Sequence, residues 1–354
     1  MNLDVLLKSM IERRGSDLHL TVGTPPKARI HGSLEDLDPR PMSDEHVKEC
    51  IKKCLTEDQV RKLVTSFDVD GLYFNPTLGR FRVNAFRQLG TFAMVFRHIP
   101  TRIATIDDMG LPAVLKRLAL AQRGIILVTG TTGSGKSTTL AAMIDHINSE
   151  ESSNVITIED PVEFVHTSRR CVIRQRNLGT DVMSFSAALK GAMRQDPDVI
   201  LVGEMRDFET INAAITAADT GHLVFSTLHT TNAQQTVERI LNHYPAEQQD
   251  QVRLSLSLNL TAVISQRLIP KRDGGRVAAL EIMISTPTVK KLIREGSVPK
   301  LYSAIEEGVS EGMQSFNQVI HRLVADAQID LDEAIAASSR PEELHLKLKM
   351  DGLI

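Results

Sequence analysis

The chain has 354 residues, which is too long for one ordinary hydrophobic core, so we expect two domains. Its 41 basic and 44 acidic residues nearly balance, and composition therefore gives no indication of a nucleic-acid-binding surface. The three cysteines, Cys50, Cys54 and Cys171, exclude a disulfide framework and a four-cysteine zinc site. Cys50 and Cys54 have the spacing of a metal half-site, but no nearby pair of ligands completes it, so we expect buried thiols in a reducing compartment.

The first 98 residues are predicted to form a small α+β domain with antiparallel strands. Apolar residues recur at helical spacing from Leu3 to Ile11, and a strand is expected from Asp17 to Thr21. Thr56 and Gln59 have the spacing of a capping box at the start of a helix. Two later segments alternate as strands, with one apolar face and one arginine-bearing face: Phe81, Val83 and Ala85 opposite Arg80 and Arg82, then Phe92, Met94 and Phe96 opposite Arg97.

A linker is expected over residues 99–112, because Pro100, Gly110 and Pro112 fall in it. From residue 113 to 354, short apolar runs alternate with helical stretches, which is typical of a parallel sheet buried on both faces. From about Gln248 onward the pattern is read as helical. The predicted strands are Ile125–Thr129, Val155–Ile158, Val199–Val202 and Leu223–Thr227.

The most specific motif is a complete G-x-x-x-x-G-K-[ST] phosphate loop that follows the first of these strands. It consists of Gly130, Thr131, Thr132, Gly133, Ser134, Gly135, Lys136 and Ser137, with Thr138 opening the next helix. In such a loop the backbone N–H groups and the helix dipole attract phosphate oxygens. Lys136 is expected to reach the β- and γ-phosphates of ATP, and Ser137 to bind Mg²⁺. The alternative is a glycine-rich turn with a chance lysine.

Acidic residues follow two other predicted strands, at the edge where ligands bind in open parallel sheets. Glu204 follows the apolar run Val199–Val202, as the acidic residue of a Walker B motif does. It is a candidate ligand of Mg²⁺ or of its water shell. The second cluster includes Glu159, Asp160 and Glu163, where a carboxylate could deprotonate an attacking water. Either cluster alone could also be a solvated strand-to-helix turn.

His222 and His229 flank the predicted strand Leu223–Thr227. A histidine here, with Thr227, could hydrogen-bond the γ-phosphate and respond to its loss, although a purely structural role is equally compatible. Arg80, Arg82, Arg97 and Arg102 lie in the first domain. They either form a solvated strand face or act as arginine fingers, which supply positive charge to a nucleotide held by the next subunit.

Together these motifs resemble the secretion-ATPase superfamily and, within it, the PilT/PilU family of type IV pilus retraction ATPases. The similarity extends from Gly15–Leu20 and Gly79–Asn84 to an Asp box at Glu159–Glu163, a Walker B segment at Gly203–Asp207 and a His box at His222–His229. It implies a RecA-like P-loop ATPase domain of α/β class with a smaller, PAS-like N-terminal α+β domain. It also implies a cytoplasmic homohexamer at the inner membrane, which meets a platform protein and a paralogous pilus ATPase. Nucleic acid would not be bound directly, and membrane contact would be indirect.

The resemblance implies the site roles as well: Glu163 as the water-activating base, Glu204 as the metal-side acid, His229 as a site residue, and Arg82 and Arg97 as fingers. Extension ATPases of the superfamily carry an additional N-terminal region and a four-cysteine site. This sequence shows neither, so retraction is favoured. The segment from Val289 to Glu295 matches the AIRNLIRE motif of PilT only in its second half, which leaves a PilU-like accessory role open. A related ATPase for DNA uptake, conjugation or secretion also remains an alternative.

Overall fold

The computed structural model describes residues 1–30, 32–99 and 103–354. The chain divides into two compact units, Met1–Arg102 and Ile103–Ile354. Pro100 and Arg102 lie outside the described residues. Ile106 and Leu111, from the segment expected to be a linker, are buried in the core of the second unit.

The first unit is an antiparallel sheet with helices packed against one face. Its strands occur in the order β3-β2-β1-β6-β5-β4. The helices are α1 (Leu3–Glu12), α2 (Asp44–Cys54) and α3 (Glu57–Ser66), and the strands are β1 (Gly15–Thr21), β2 (Lys27–Ile30), β3 (Ser33–Asp36), β4 (Asp68–Asn75), β5 (Gly79–Gln88) and β6 (Thr91–Ile99). The capping box predicted for α3 is confirmed, with hydrogen bonds between Thr56 and Gln59 in both directions.

Alternation along β5 and β6 builds the core of this unit. Phe81 and Val83 are fully buried beneath the helices, whereas Arg80 and Arg97 are exposed on the other face. This confirms the strand interpretation of both segments. Cys50 and Cys54 belong to the same core, and burial raises the pKa of the Cys54 thiol to about 12. These thiols are therefore protonated and unreactive at neutral pH.

The second unit is a seven-stranded sheet with helices on both faces. Its strand order is β13-β12-β7-β11-β10-β8-β9, and every neighbouring pair except β12 with β13 is parallel. The strands are β7 (Gly124–Thr129), β8 (Asn154–Glu159), β9 (Val172–Asn177), β10 (Val199–Val202), β11 (Leu223–Leu228), β12 (Leu260–Pro270) and β13 (Arg276–Ile284). Alternate residues of β7 enter two separate cores, which confirms a parallel sheet buried on both faces.

Eleven helices of the described chain surround this sheet or follow it. They are α4 (Val114–Ala119), α5 (Lys136–Glu150), α6 (Phe185–Ala192), α7 (Phe208–Asp219), α8 (Ala233–Leu241), α9 (Gln249–Asn259), α10 (Pro287–Arg294), α11 (Leu301–Glu307), α12 (Phe316–Ala325), α13 (Leu331–Ala337) and α14 (Pro341–Met350). None of the helices within the described ranges is long and apolar enough to cross a bilayer.

The helical interpretation of the chain after Gln248 is wrong over residues 260–284, where β12 and β13 form a hairpin. Strand β12 is buried on both faces, so its apolar residues do not alternate and its pattern does not distinguish a strand from a buried helix. The β-branched pair Val263 and Ile264 and the turn residues Gly274 and Gly275 are the local signals for a hairpin.

Candidate active site

The phosphate loop connects the carboxyl end of β7 to helix α5, which begins at Lys136. Gly130, Gly133 and Gly135 all have positive φ, at 144°, 78° and 90°. Strand β12 lies close behind two of them. A Cβ at Gly130 would stand 2.5 Å from the carbonyl oxygen of Gln266, and one at Gly135 would stand 2.7 Å from its Nε2. The glycines are thus required by both backbone conformation and close packing.

The Lys136 ammonium closes this loop by donating hydrogen bonds to the carbonyl oxygens of Gly130 and Thr131, each at 2.9 Å. Burial lowers its pKa, and the negative charges of Glu163 and Glu204 oppose that effect. The structure therefore brings three of the predicted site residues into one electrostatic neighbourhood. The two carboxylates come from different strand ends, after β8 and β10.

The loop also has the features that an anion requires. The first turn of α5, which begins at Lys136, directs backbone N–H groups towards the loop, and a 15-residue helix adds its dipole there. The Ser134 hydroxyl is buried and has no hydrogen-bond partner in the part of the chain that the structure describes. A triphosphate would supply the oxygen atoms that these donors lack.

Glu204 is the centre of a polar cluster next to the loop. Its side chain is only 14% exposed, with Oε1 at 2.6 Å from Arg206 Nε and Oε2 at 3.4 Å from His229 Nε2. Two further hydrogen bonds fix the turn after β10 to the end of β11: Met205 N–H donates to the Thr227 carbonyl, and the Thr227 hydroxyl donates to the Gly203 carbonyl. The segment that carries Glu204 is thus bonded directly to the end of β11, one residue before His229.

Glu163 lies on an exposed turn that follows β8 and contains a cis peptide bond between Asp160 and Pro161. Glu159, at the end of β8, is half-buried, and its carboxylate accepts a hydrogen bond from the Thr157 hydroxyl at 2.6 Å. Burial raises the pKa of Glu159, against hydrogen bonds from Thr157, Gln175 and the backbone of Glu163. The acidic cluster thus divides into one half-buried carboxyl group that supports the turn and one exposed carboxylate that faces solvent.

The two histidines of the predicted His box have different surroundings. His222 precedes β11 at its amino end, and its Nδ1 lies 2.8 Å from the Ala217 carbonyl and 3.0 Å from the Thr220 hydroxyl. In a parallel sheet that end is opposite to the phosphate loop, so His222 stabilises the end of α7. His229 follows β11 at the carboxyl end and contacts Glu204.

The arginines proposed as fingers belong to the first unit. Arg97 Nε contacts the buried Asp17 carboxylate at 2.8 Å, whereas Arg82 lies 3.7 Å from the exposed Asp70. Arg102 falls outside the described residues.

Three polar residues of the β12–β13 hairpin were not among the predicted site residues. Gln266 is buried beside the phosphate loop and accepts a hydrogen bond from the Thr139 hydroxyl of α5 at 2.7 Å. Ser265 shares a hydrogen bond of 2.8 Å with Thr129 at the end of β7. Glu281 is buried and accepts the backbone N–H of Ala233, the first residue of α8. Polar residues inside an apolar strand would have indicated them, had the segment been read as a strand.

Comparison with known proteins agrees with this geometry. The family model described as type II/IV secretion system protein matches residues 80–336. The type IV pilus retraction ATPase PilT of Pseudomonas aeruginosa is 46% identical over 342 residues, which cover 97% of this chain and 99% of that protein. The type IV pilus ATPase PilU of the same organism is 40% identical over 351 residues, which cover 99% of this chain and 92% of PilU.

A solved structure is similar over the whole chain. The crystal structure of the pilus retraction motor PilT with bound ADP superimposes with a TM-score of 0.93 at 43% sequence identity, and the match covers 98% of this chain and 99% of that one. Because similarity at this level includes both units, the predicted fold class is confirmed.

Proposed function

Because this chain belongs to the type II/IV secretion system protein family, we propose that it is an ATP-hydrolysing motor that drives type IV pilus retraction. The observation that carries the proposal is the arrangement of Lys136 within the field of both Glu163 and Glu204, beside a loop with the donors for a triphosphate. A protein that only binds nucleotide has no need of a second carboxylate placed to accept a proton from water.

In the proposed mechanism, Lys136 leaves the carbonyls of Gly130 and Thr131 and neutralises the β- and γ-phosphates. Glu163 is exposed and carries no ion pair within the described ranges, so its carboxylate is available to orient a water and take its proton. Arg206 and His229 hold Glu204 in place, and His229 changes its contacts when the γ-phosphate leaves.

Mg²⁺ fits this site as a partner of the nucleotide, where it would neutralise charge that develops on the phosphate oxygens. Ser137 would be its protein ligand. Both oxygens of Glu204 are already engaged, which favours a role through the water shell of the ion. Among the described residues no group of three or more His, Cys, Asp or Glu side chains could hold a metal ion, which also suits an ion bound mainly by phosphate and water.

We further propose a homohexamer in which Arg82 and Arg97 serve the nucleotide of the neighbouring subunit, at the cytoplasmic side of the inner membrane beside a platform protein. If so, an Arg97→Ala chain and a Lys136→Ala chain, each inactive alone, will recover activity when mixed. Mixed rings contain boundaries at which an intact loop meets an intact arginine. No recovery, with mixed rings confirmed by mass measurement, would show that the arginines act within their own chain or only structurally.

A PilU-like accessory role is the second candidate, because PilU matches 99% of this chain. Complementation distinguishes the two roles. We expect the chain to restore twitching to Pseudomonas aeruginosa that lacks PilT, and Lys136→Ala to fail. Restoration only in a strain that lacks PilU would establish the accessory role, and restoration in neither strain would favour DNA uptake, conjugation or secretion.

A further inference from the structure

Five strands of the first unit contribute one residue each to a transverse row across the sheet. The row runs Arg29, Asp17, Arg97, Arg82 and Leu72 on β2, β1, β6, β5 and β4. Arg97 and Arg82 are direct cross-strand neighbours, and like charges in that position are unfavourable on their own. Three arginines therefore share one row with a single carboxylate. With Asp70, which lies 3.7 Å from Arg82 beside the row, two carboxylates face three guanidinium groups, and the remaining positive charge suits an anionic partner.

Asp17 is the fixed point of this row. Its side chain is only 8% exposed, and both of its oxygens are engaged: Oδ1 accepts from Arg97 Nε at 2.8 Å, and Oδ2 accepts from the Ser16 hydroxyl at 2.6 Å. Burial alone would raise the pKa of Asp17, but the hydrogen bonds from Ser16 and Arg97 and the charge of Arg97 lower it. The carboxylate is thus ionised at neutral pH and holds one defined position.

Arg97 is held in a way that leaves most of its hydrogen-bonding groups available. Its side chain is 67% exposed, and within the described chain its only hydrogen bond and ion pair use Nε. The two terminal nitrogens, Nη1 and Nη2, remain open for a second partner. A guanidinium can make both interactions with a fixed geometry because its donors form a rigid planar fork, whereas the donors of a lysine ammonium share one nitrogen at the end of a flexible chain.

We propose that Asp17 is a positioning residue that holds Arg97 through Nε, so that Nη1 and Nη2 meet the triphosphate of the neighbouring subunit. This inference rests on the proposed function. It distinguishes the two arginines, because among the described residues Arg82 has only a long contact with the exposed Asp70 and is not oriented in the same way. It also means that Arg97→Ala has two effects: it removes the finger and leaves the buried Asp17 charge without its partner.

The test is Asp17→Asn, which keeps the shape of the side chain but removes the charge that anchors Nε. Freeing one long side chain is expected to lower kcat about tenfold. The KM for ATP should change by less than about twofold, because the arginine acts on the charge of the transition state. Asp38→Asn is the matched control, since Asp38 pairs with Arg40 in the same unit but outside the row. It should hydrolyse ATP like the wild type.

Mixing experiments then test whether Asp17 acts at the same subunit boundary as Arg97. An Asp17→Asn chain mixed with a Lys136→Ala chain should exceed the summed activity of the two, whereas Asp17→Asn mixed with Arg97→Ala should not. Arg97→Lys is a second variant that keeps a positive charge beside Asp17 and so protects the fold. It should show the same fall in kcat and the same recovery with Lys136→Ala.

Three results would overturn the inference. The first is a wild-type kcat in Asp17→Asn, and the second is a kcat that falls by the same factor in Asp17→Asn and in the control Asp38→Asn. The third is that mixing with Lys136→Ala restores activity to Arg97→Ala but not to Asp17→Asn. Failure of the proposed function looks different. In that case the wild-type chain itself hydrolyses no ATP. If a mixture of Arg97→Ala and Lys136→Ala chains recovers no activity, Arg97 does not act on the nucleotide of the neighbouring subunit, and this inference is wrong as well.

Discussion

Replacing Lys136 with alanine is the sharpest test of the enzymatic proposal. The half-buried ammonium would lie about 4 Å from a phosphate charge, and at an effective dielectric constant of about 20 such a pair is worth about 4 kcal/mol. That energy corresponds to a fall of roughly 10³-fold in affinity for ATP. We expect Lys136→Ala to bind ATP at least that much more weakly and to show no measurable steady-state turnover.

Titration with a fluorescent ATP analogue would measure the affinity, and phosphate release would measure turnover. Lys190→Ala removes an exposed lysine from α6 and is the control for a general loss of charge. Because Lys136 also bonds the carbonyls of Gly130 and Thr131, thermal unfolding without nucleotide must show that the variant is folded. Wild-type turnover by folded Lys136→Ala would refute the reasoning.

Three further predictions follow from single carboxyl and imidazole groups. Glu163→Gln should bind ATP but hydrolyse it about two to four orders of magnitude more slowly, whereas Glu204→Gln should change the Mg²⁺ dependence; normal turnover in the first with none in the second would move the base to Glu204. Burial lowers the pKa of His166 to about 4, so the unfolded chain binds a proton first as the pH falls. The contribution of His166 to stability should therefore be complete above about pH 6.5 and fall by up to about 3 kcal/mol towards pH 4, so that urea unfolding shows a shallower decline in His166→Asn than in the wild type; an equally steep decline would argue against it. Glu281→Ala should lower the free energy of unfolding by about 1 to 3 kcal/mol, because the Ala233 N–H loses its acceptor, and Glu281→Gln should cost less; equal losses would contradict this account.

The residues at the phosphate-loop edge could be predicted because each follows a short apolar strand of a parallel sheet. Lys136, Glu204 and His229 come after β7, β10 and β11, and the carboxyl ends of these strands necessarily meet at one edge. Strands β5 and β6 could also be predicted, because apolar and polar residues alternate visibly along their sequences. The site roles assigned to these residues stay predictions.

What could not be predicted depends on partners that are distant in the chain. The ion pair between Asp17 and Arg97 exists because β1 and β6 are neighbours, although 80 residues separate the two side chains. Nothing in the local pattern of either strand indicates which carboxylate an exposed arginine will meet. The hairpin of β12 and β13 was missed for a related reason: a strand buried on both faces loses the alternation that identifies a strand.

That hairpin also connects the phosphate-loop edge to the C-terminal helices. Glu281 of β13 accepts a hydrogen bond from the backbone N–H of Ala233, the first residue of α8. The segment of residues 229–232, which begins with His229, directly precedes this helix and is called the His229 segment. Arg267 of β12 donates to the carbonyl of Thr231 and to the Ser339 hydroxyl, which lies between α13 and α14. Because a buried polar group is costly without its partners, a shift of the His229 segment must carry these bonds with it or break them. The hairpin is therefore bonded both to the segment that follows β11 and to the segment between α13 and α14.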